Sequence, residues 1–152
     1  RLRGSVQYEL GDYAQAEKAY IEAIRLQPQD AQALNNIAYL YTQDMNQPDK
    51  ALPHITRAAE MAPLDANVLD TYGWTLARLK QYDQAERQLL SALQINPDLA
   101  VVRYHLGWVY VQKQRSEDAE REYQRAKSLV ADGDPLKSEI EKALADLLQA
   151  RG

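Results

Sequence analysis

The chain has 152 residues, 45% hydrophobic and 26% charged, with 18 basic and 22 acidic side chains, a formal net charge of −4 and no cysteine. That length suits one domain with a substantial core. No apolar run approaches the roughly 18 residues needed to span a bilayer, no basic stripe supplies a field for sequence-independent phosphate binding, and disulfide and thiolate chemistry are excluded.

Along the chain, Gly11-Asp12-Tyr13 reads as a turn, followed by a helix over about 14–26 that Pro28 stops. The stretch 66–97 is the clearest unit: its apolar positions fall three or four apart on both sides of a Lys80-Gln81-Tyr82 turn, which predicts a helical hairpin with one apolar face per helix. The pattern recurs. Ala16, Ala51, Ala85 and Ala119 are spaced 35, 34 and 34, as are Tyr20, Ile55, Leu89 and Tyr123. Gly4, Ala38, Gly73 and Gly107 repeat on the first helix of each hairpin, and Pro28, Pro63 and Pro97 follow the second. The small residues predict close approach of the two helices of one hairpin. One extra residue falls between Ala38 and Ala51, which predicts a lengthened turn at Gln43–Pro48, and Pro53 predicts a ragged or bent start to the helix that follows. After Ala131, which stands where proline is expected, Asp134 and Pro135 supply an N-cap and an N1 proline. A helix should start near Pro135, with Leu136, Ile140, Ala143, Leu144, Leu147 and Leu148 as its apolar set and Lys137, Glu141, Lys142 and Asp146 opposite.

Catalytic and metal chemistry find few candidates. His54 and His105 are the only histidines and lack metal-ligand spacing. The six glycines are scattered, so no Gly-rich loop cradles phosphate. Glu117, Asp118, Glu120 and Glu122 are interleaved with Arg121 and Arg125, the pattern of a solvated helix face. No cofactor is expected.

A helical hairpin repeated every 34 residues, with small, aromatic and proline positions in this order, resembles the tetratricopeptide repeat (TPR) over residues 1–131. The resemblance implies an all-α, right-handed solenoid of antiparallel hairpins, divided 1–30 (truncated), 31–65, 66–99 and 100–131, with 132–152 as a capping helix; a fifth repeat or a docking helix is the rival for that last segment. Arg1 falls at about the fifth position of the first repeat, so the chain reads as a fragment of a longer protein, with any signal or anchor upstream. The compartment stays open between cytoplasm and cell envelope.

In the resembled family the first helices line a concave groove. Carried onto this chain, the groove positions include Asn35, Asn36, Tyr39 and Thr42, then Asn67, Asp70, Thr71, Trp74 and Arg78, then Tyr104, His105 and Trp108. Ser5, Tyr39, Trp74 and Trp108 are equivalent, so both tryptophans share one face among amides and hydroxyls, the composition of a binding groove. The alternative is that the tryptophans tuck under the neighbouring repeat as core. The basic carboxylate-clamp set with which some TPR domains hold chaperone tails is absent. The wording Asp70-Thr71-Tyr72-Gly73-Trp74 and Tyr104-His105-Leu106-Gly107-Trp108 resembles arrays of bacterial proteins, several tied to envelope and exopolysaccharide assembly. The function implied is a non-catalytic scaffold holding a partner peptide or helix, with self-association through the solenoid ends as a further possibility and nucleic acid not expected. The second reading is a stacking platform for glycan or small ligand, or a regulatory module, in a longer envelope or polysaccharide-assembly protein.

Overall fold

The computed structural model describes residues 12–151, and the Gly4, Ser5 and Gly11 positions lie outside them. The described residues form eight α-helices and no strand: α1 (Tyr13–Leu26), α2 (Ala31–Tyr39), α3 (Pro48–Met61), α4 (Ala66–Arg78), α5 (Tyr82–Ile95), α6 (Ala100–Gln112), α7 (Ser116–Leu129) and α8 (Pro135–Arg151). Aspartates start several of them. Asp30 accepts from the Gln32 and Ala33 N–H groups at 3.0 and 3.1 Å, and Asp65 from those of Asn67 and Val68 at 2.9 and 3.3 Å. The α8 start is as the sequence predicts, with the Leu136 N–H donating to Asp134 at 2.9 Å and Pro135 at the first helical position.

Consecutive helices pair as hairpins (α2 with α3, α4 with α5, α6 with α7), and each hairpin packs on the next. The first helices α2, α4, α6 and α8 also touch one another in sequence, whereas α1, α3, α5 and α7 make no comparable mutual contact. Such an array closes up on the first-helix side and opens on the other, so it is a solenoid whose concave face is built by the first helices. Helix α8 covers the last hairpin. Ile140, Leu144 and Leu147 are buried against the last hairpin, while Leu148, expected on the same face, is 50% exposed.

The small positions are sockets. Ala16, Ala51, Ala85 and Ala119 are fully buried, and the large series Tyr20, Ile55, Leu89 and Tyr123 is buried with them. A Cβ on Gly73 would lie 2.7 Å from Leu89 Cγ and 3.3 Å from the Ala85 carbonyl oxygen; one on Gly107 would lie 2.6 Å from the Tyr123 ring. Each glycine on a first helix therefore makes room for the large side chain of its paired second helix.

Two expectations need correction. The extra residue of the second hairpin does not lengthen a turn. Residues 45–47 join α2 to α3, just as 79–81 and 113–115 join the later pairs. Instead α2 ends in one π-helical turn, Leu40–Asp44, in which the Met45 N–H donates to the Leu40 carbonyl at 3.0 Å. The residue is inserted before Asn46, which, with Lys80 and Gln114, recurs every 34 residues in the left-handed conformation that ends each first helix. Thr42 lies within that turn. It is fully buried and hydrogen-bonded to Thr75 at 2.8 Å, so it does not line the groove. Nor does Pro53 give a ragged start: α3 is continuous from Pro48, with Pro53 exposed. After α7 the connection is five residues, 130–134, against four at 27–30, 62–65 and 96–99, and Gly133 takes φ +90° within it.

Gly73→Leu and Gly107→Leu should each lower unfolding free energy by about 1–3 kcal/mol or more, because overpacking forces the paired helix away. Chemical denaturation measures this, and unchanged midpoints in both variants would contradict the socket.

Candidate functional site: the concave face

Direct packing between first helices divides the sequence-predicted site residues into two sets. Helix α4 is flanked by α2 and α6, so its inward positions are covered from both sides. Asp70 and Thr71 are buried, Trp74 is only 6% exposed, and on the neighbouring helices Asn35 and His105 are buried too. These five are corrected from surface to interface positions. Their bonding fits that place. His105 Nδ1 lies 2.8 Å from the Asp70 carboxylate, which accepts its N–H across the α4–α6 contact. The Trp74 ring stacks on His105 with centroids 4.2 Å apart and planes 12° from parallel, and its indole N–H donates to Gln43 Oε1 at 2.9 Å. Thr71 turns its hydroxyl back to the Asn67 carbonyl at 3.1 Å. The Asn35 side-chain oxygen is buried without a hydrogen-bond partner among the described residues. For Trp74, then, the core alternative is the one the packing shows.

The other six stay accessible. Asn67 is exposed, while Asn36, Tyr39, Arg78, Tyr104 and Trp108 are half-buried. Trp108 meets Trp74 edge-on at 5.1 Å and Tyr82 at 6.4 Å, so its ring is held in place while part of it stays open. Tyr104 leans on Tyr123 with centroids 5.8 Å apart. Arg78 lies 5.6 Å from the Trp74 ring centroid and donates to Asn46 Oδ1 at 2.6 Å, so it braces the rim of α4. Burial pushes the Tyr39 phenol up to about 12, and the carboxylates of Asp44, Asp70 and Glu139 push in the same direction. Burial and Glu139 also raise Tyr104.

Glu139, Lys142 and Asp146 are the functional candidates that repeat position could not supply. With Tyr104, Trp108 and Tyr123 they line a cavity of about 460 Å³ between α6 and α8. The signal was present in Glu139 and Asp146 standing seven apart, one helical face, but a cap helix carries no groove positions of its own in the repeat pattern.

Two family models described as tetratricopeptide repeat match the chain, one at residues 1–66 and 43–100 and the other at 76–147, which takes in most of α8. The chain belongs to the tetratricopeptide repeat family. It is 36% identical over 96 residues, 63% of its length, to a TPR repeat-containing protein of Pseudomonas aeruginosa, in keeping with a bacterial source. It is 27% identical over 91% of its length to the human protein O-mannosyl-transferase TMTC1. The chain spans 16% and 20% of the length of these two relatives. Among solved structures, a thermophilic TPR protein of Thermus thermophilus superposes with a TM-score of 0.85 at 24% identity, covering 98% of this chain and 79% of that one. MamA of Desulfovibrio magneticus gives 0.73 at 22% identity, covering 86% and 73%. YrrB, described as a TPR protein with an unusual peptide-binding site, gives 0.73 at 23%, covering 93% and 71%. Identities this low speak for the fold alone.

Trp74→Ala should cost about 3–5 kcal/mol of unfolding free energy, as truncation of a buried aromatic does. Trp108→Ala, at an equivalent position but half-buried, should cost clearly less. Urea unfolding of both variants checks this, and equal losses would contradict the division between interface and groove.

Proposed function

We propose that the chain is a non-catalytic scaffold of four repeats (1–30, 31–65, 66–99 and 100–131) and a cap (132–152), whose concave groove holds an extended segment or helix of a partner protein. The observation that carries this reading is the composition of what stays open on the first-helix face. Tyr39, Tyr104 and Trp108 remain accessible there, with Asn36 and Asn67 beside them, while beneath them Asp70 is bonded to His105 and Thr71 to the Asn67 carbonyl. Rigid aromatic anchors ringed by adaptable amides are what interfaces use, and a floor fixed before binding lowers the ordering cost of association. The peptide-binding site of the similarly folded YrrB supports the same use of the fold.

Less supports a glycan platform. The row of equivalent rings, Tyr39, Trp74 and Trp108, is interrupted at Trp74, which is buried and has one face covered by His105. The transferase named among the relatives is matched over a fifth of its length, so its activity is not carried over.

A photo-crosslinking residue placed at Asn67 or Asn36 should capture the partner, whereas one at the exposed Arg87 of α5, on the opposite side of the hairpin, should not. Equal yields from both faces would contradict the groove.

A further inference from the structure

The cavity between α6 and α8 has a chemistry of its own. Its floor is aromatic and aliphatic, made by Tyr104, Trp108 and Leu147, and its α8 edge carries Glu139, Lys142 and Asp146. Glu139 and Asp146 stand two turns apart on one side of α8, about 10 Å along the axis, with Lys142 between them. Among the described residues neither carboxylate forms an ion pair. The cations that stitch this end of the molecule are used elsewhere: Lys127 pairs with Glu141 at 3.6 Å, Arg151 with Glu120, and Lys137 with Asp132. Arg78, the basic residue of the α4 rim, is spent on Asn46 and Trp74. One ammonium therefore faces two carboxylates, and the edge is left with an unbalanced negative charge above two partly open ring systems. Burial raises the Tyr104, Tyr39 and Tyr123 phenols, and Glu139 adds to this in a minor way at the first two and Asp146 at the third. At about 460 Å³ the space is within the range of small-ligand sites, about 300–1,000 Å³.

Aromatic faces attract cations through their quadrupole, and a carboxylate at the rim adds charge pairing in a half-desolvated setting. An anionic ligand would meet repulsion from two sides, and a purely apolar one would leave the carboxylates unanswered. We propose that this pocket receives one lysine or arginine side chain of the partner protein, with its cation over the Trp108 and Tyr104 rings and its charge balanced by Glu139 and Asp146. The assignment rests on the groove reading above and narrows it to partner segments with a basic residue at one fixed place. It also gives α8 a second role, as one wall of the groove as well as cover for the last hairpin.

The test is to pan a random peptide library on the whole chain and then measure the enriched peptides against the chain and its Glu139→Gln/Asp146→Asn variant. Both positions are exposed and both changes are isosteric, and thermal unfolding followed by circular dichroism confirms that the variant is folded. Enriched peptides should share one lysine or arginine and bind the double variant about tenfold or more weakly, a factor corresponding to 1.4 kcal/mol. Replacing that basic residue with norleucine or citrulline should lose the same factor, and the modified peptide should no longer distinguish the two proteins. Lys142→Ala should tighten binding by about two- to threefold, since it removes the competing cation. Peptides enriched without a fixed basic position, or binding equally to the chain and the double variant, would overturn the cation pocket and leave the groove standing. Failure of any peptide to enrich would overturn the groove reading and this proposal together.

Discussion

The contact on which the rest of the molecule depends is that between successive first helices. Hairpin packing alone would give a stack; it is the touching of α2, α4, α6 and α8 on one side, without matching contact on the other, that makes the stack curve. That contact is polar as well as apolar. Thr42 meets Thr75 between α2 and α4, and Asp70 meets His105 between α4 and α6, with Trp74 laid over the imidazole and tied to Gln43. Buried groups of this kind are costly unless every partner is present, and removing one side strands the other. Each of these contacts ties a named side chain of one repeat to a named side chain of the next.

The same contact decides what is left for a ligand. A central helix has neighbours on both sides and gives up its inward side chains to them, which is why Asp70, Thr71 and Trp74 are interior. Helix α6 has α4 on one side and, after the five-residue connection, α8 on the other, and the α6–α8 join leaves the cavity into which Trp108 and Tyr104 look. Equivalent repeat positions thus differ in exposure because their neighbours differ. The sockets at Gly73 and Gly107 act at right angles to this, within each hairpin, where they seat Leu89 and Tyr123 and hold the second helices close.

The architecture was legible in the sequence because it is repetitive. Four alanines at 34- or 35-residue spacing, glycines opposite a large series, and Asp134-Pro135 at a helix start each have a local physical meaning that survives folding. The π-turn was not legible. Periodicity locates an inserted residue only to the interval between Ala38 and Ala51, and a helix that absorbs it and a turn that lengthens leave the same mark on the sequence. The site was half legible for a related reason. Position within a repeat says which way a side chain points along its own helix, not how closely the next helix approaches, so Trp74 and Trp108 looked alike. The contribution of α8 was hidden because its charged residues read as a solvated face, and two of them, Lys142 and Asp146, line the cavity with Glu139.

The packing of first helix on first helix can be read from the two tryptophans, the only two in the chain. Trp108→Phe leaves Trp74 as the single fluorophore, and Trp74→Phe leaves Trp108. Acrylamide quenching of the two folded variants should show Trp74 emitting at shorter wavelength and quenched several-fold less than Trp108. Equal quenching, or a Trp74 more open than Trp108, would contradict the closed contact between α4 and α6 and with it the placement of the groove.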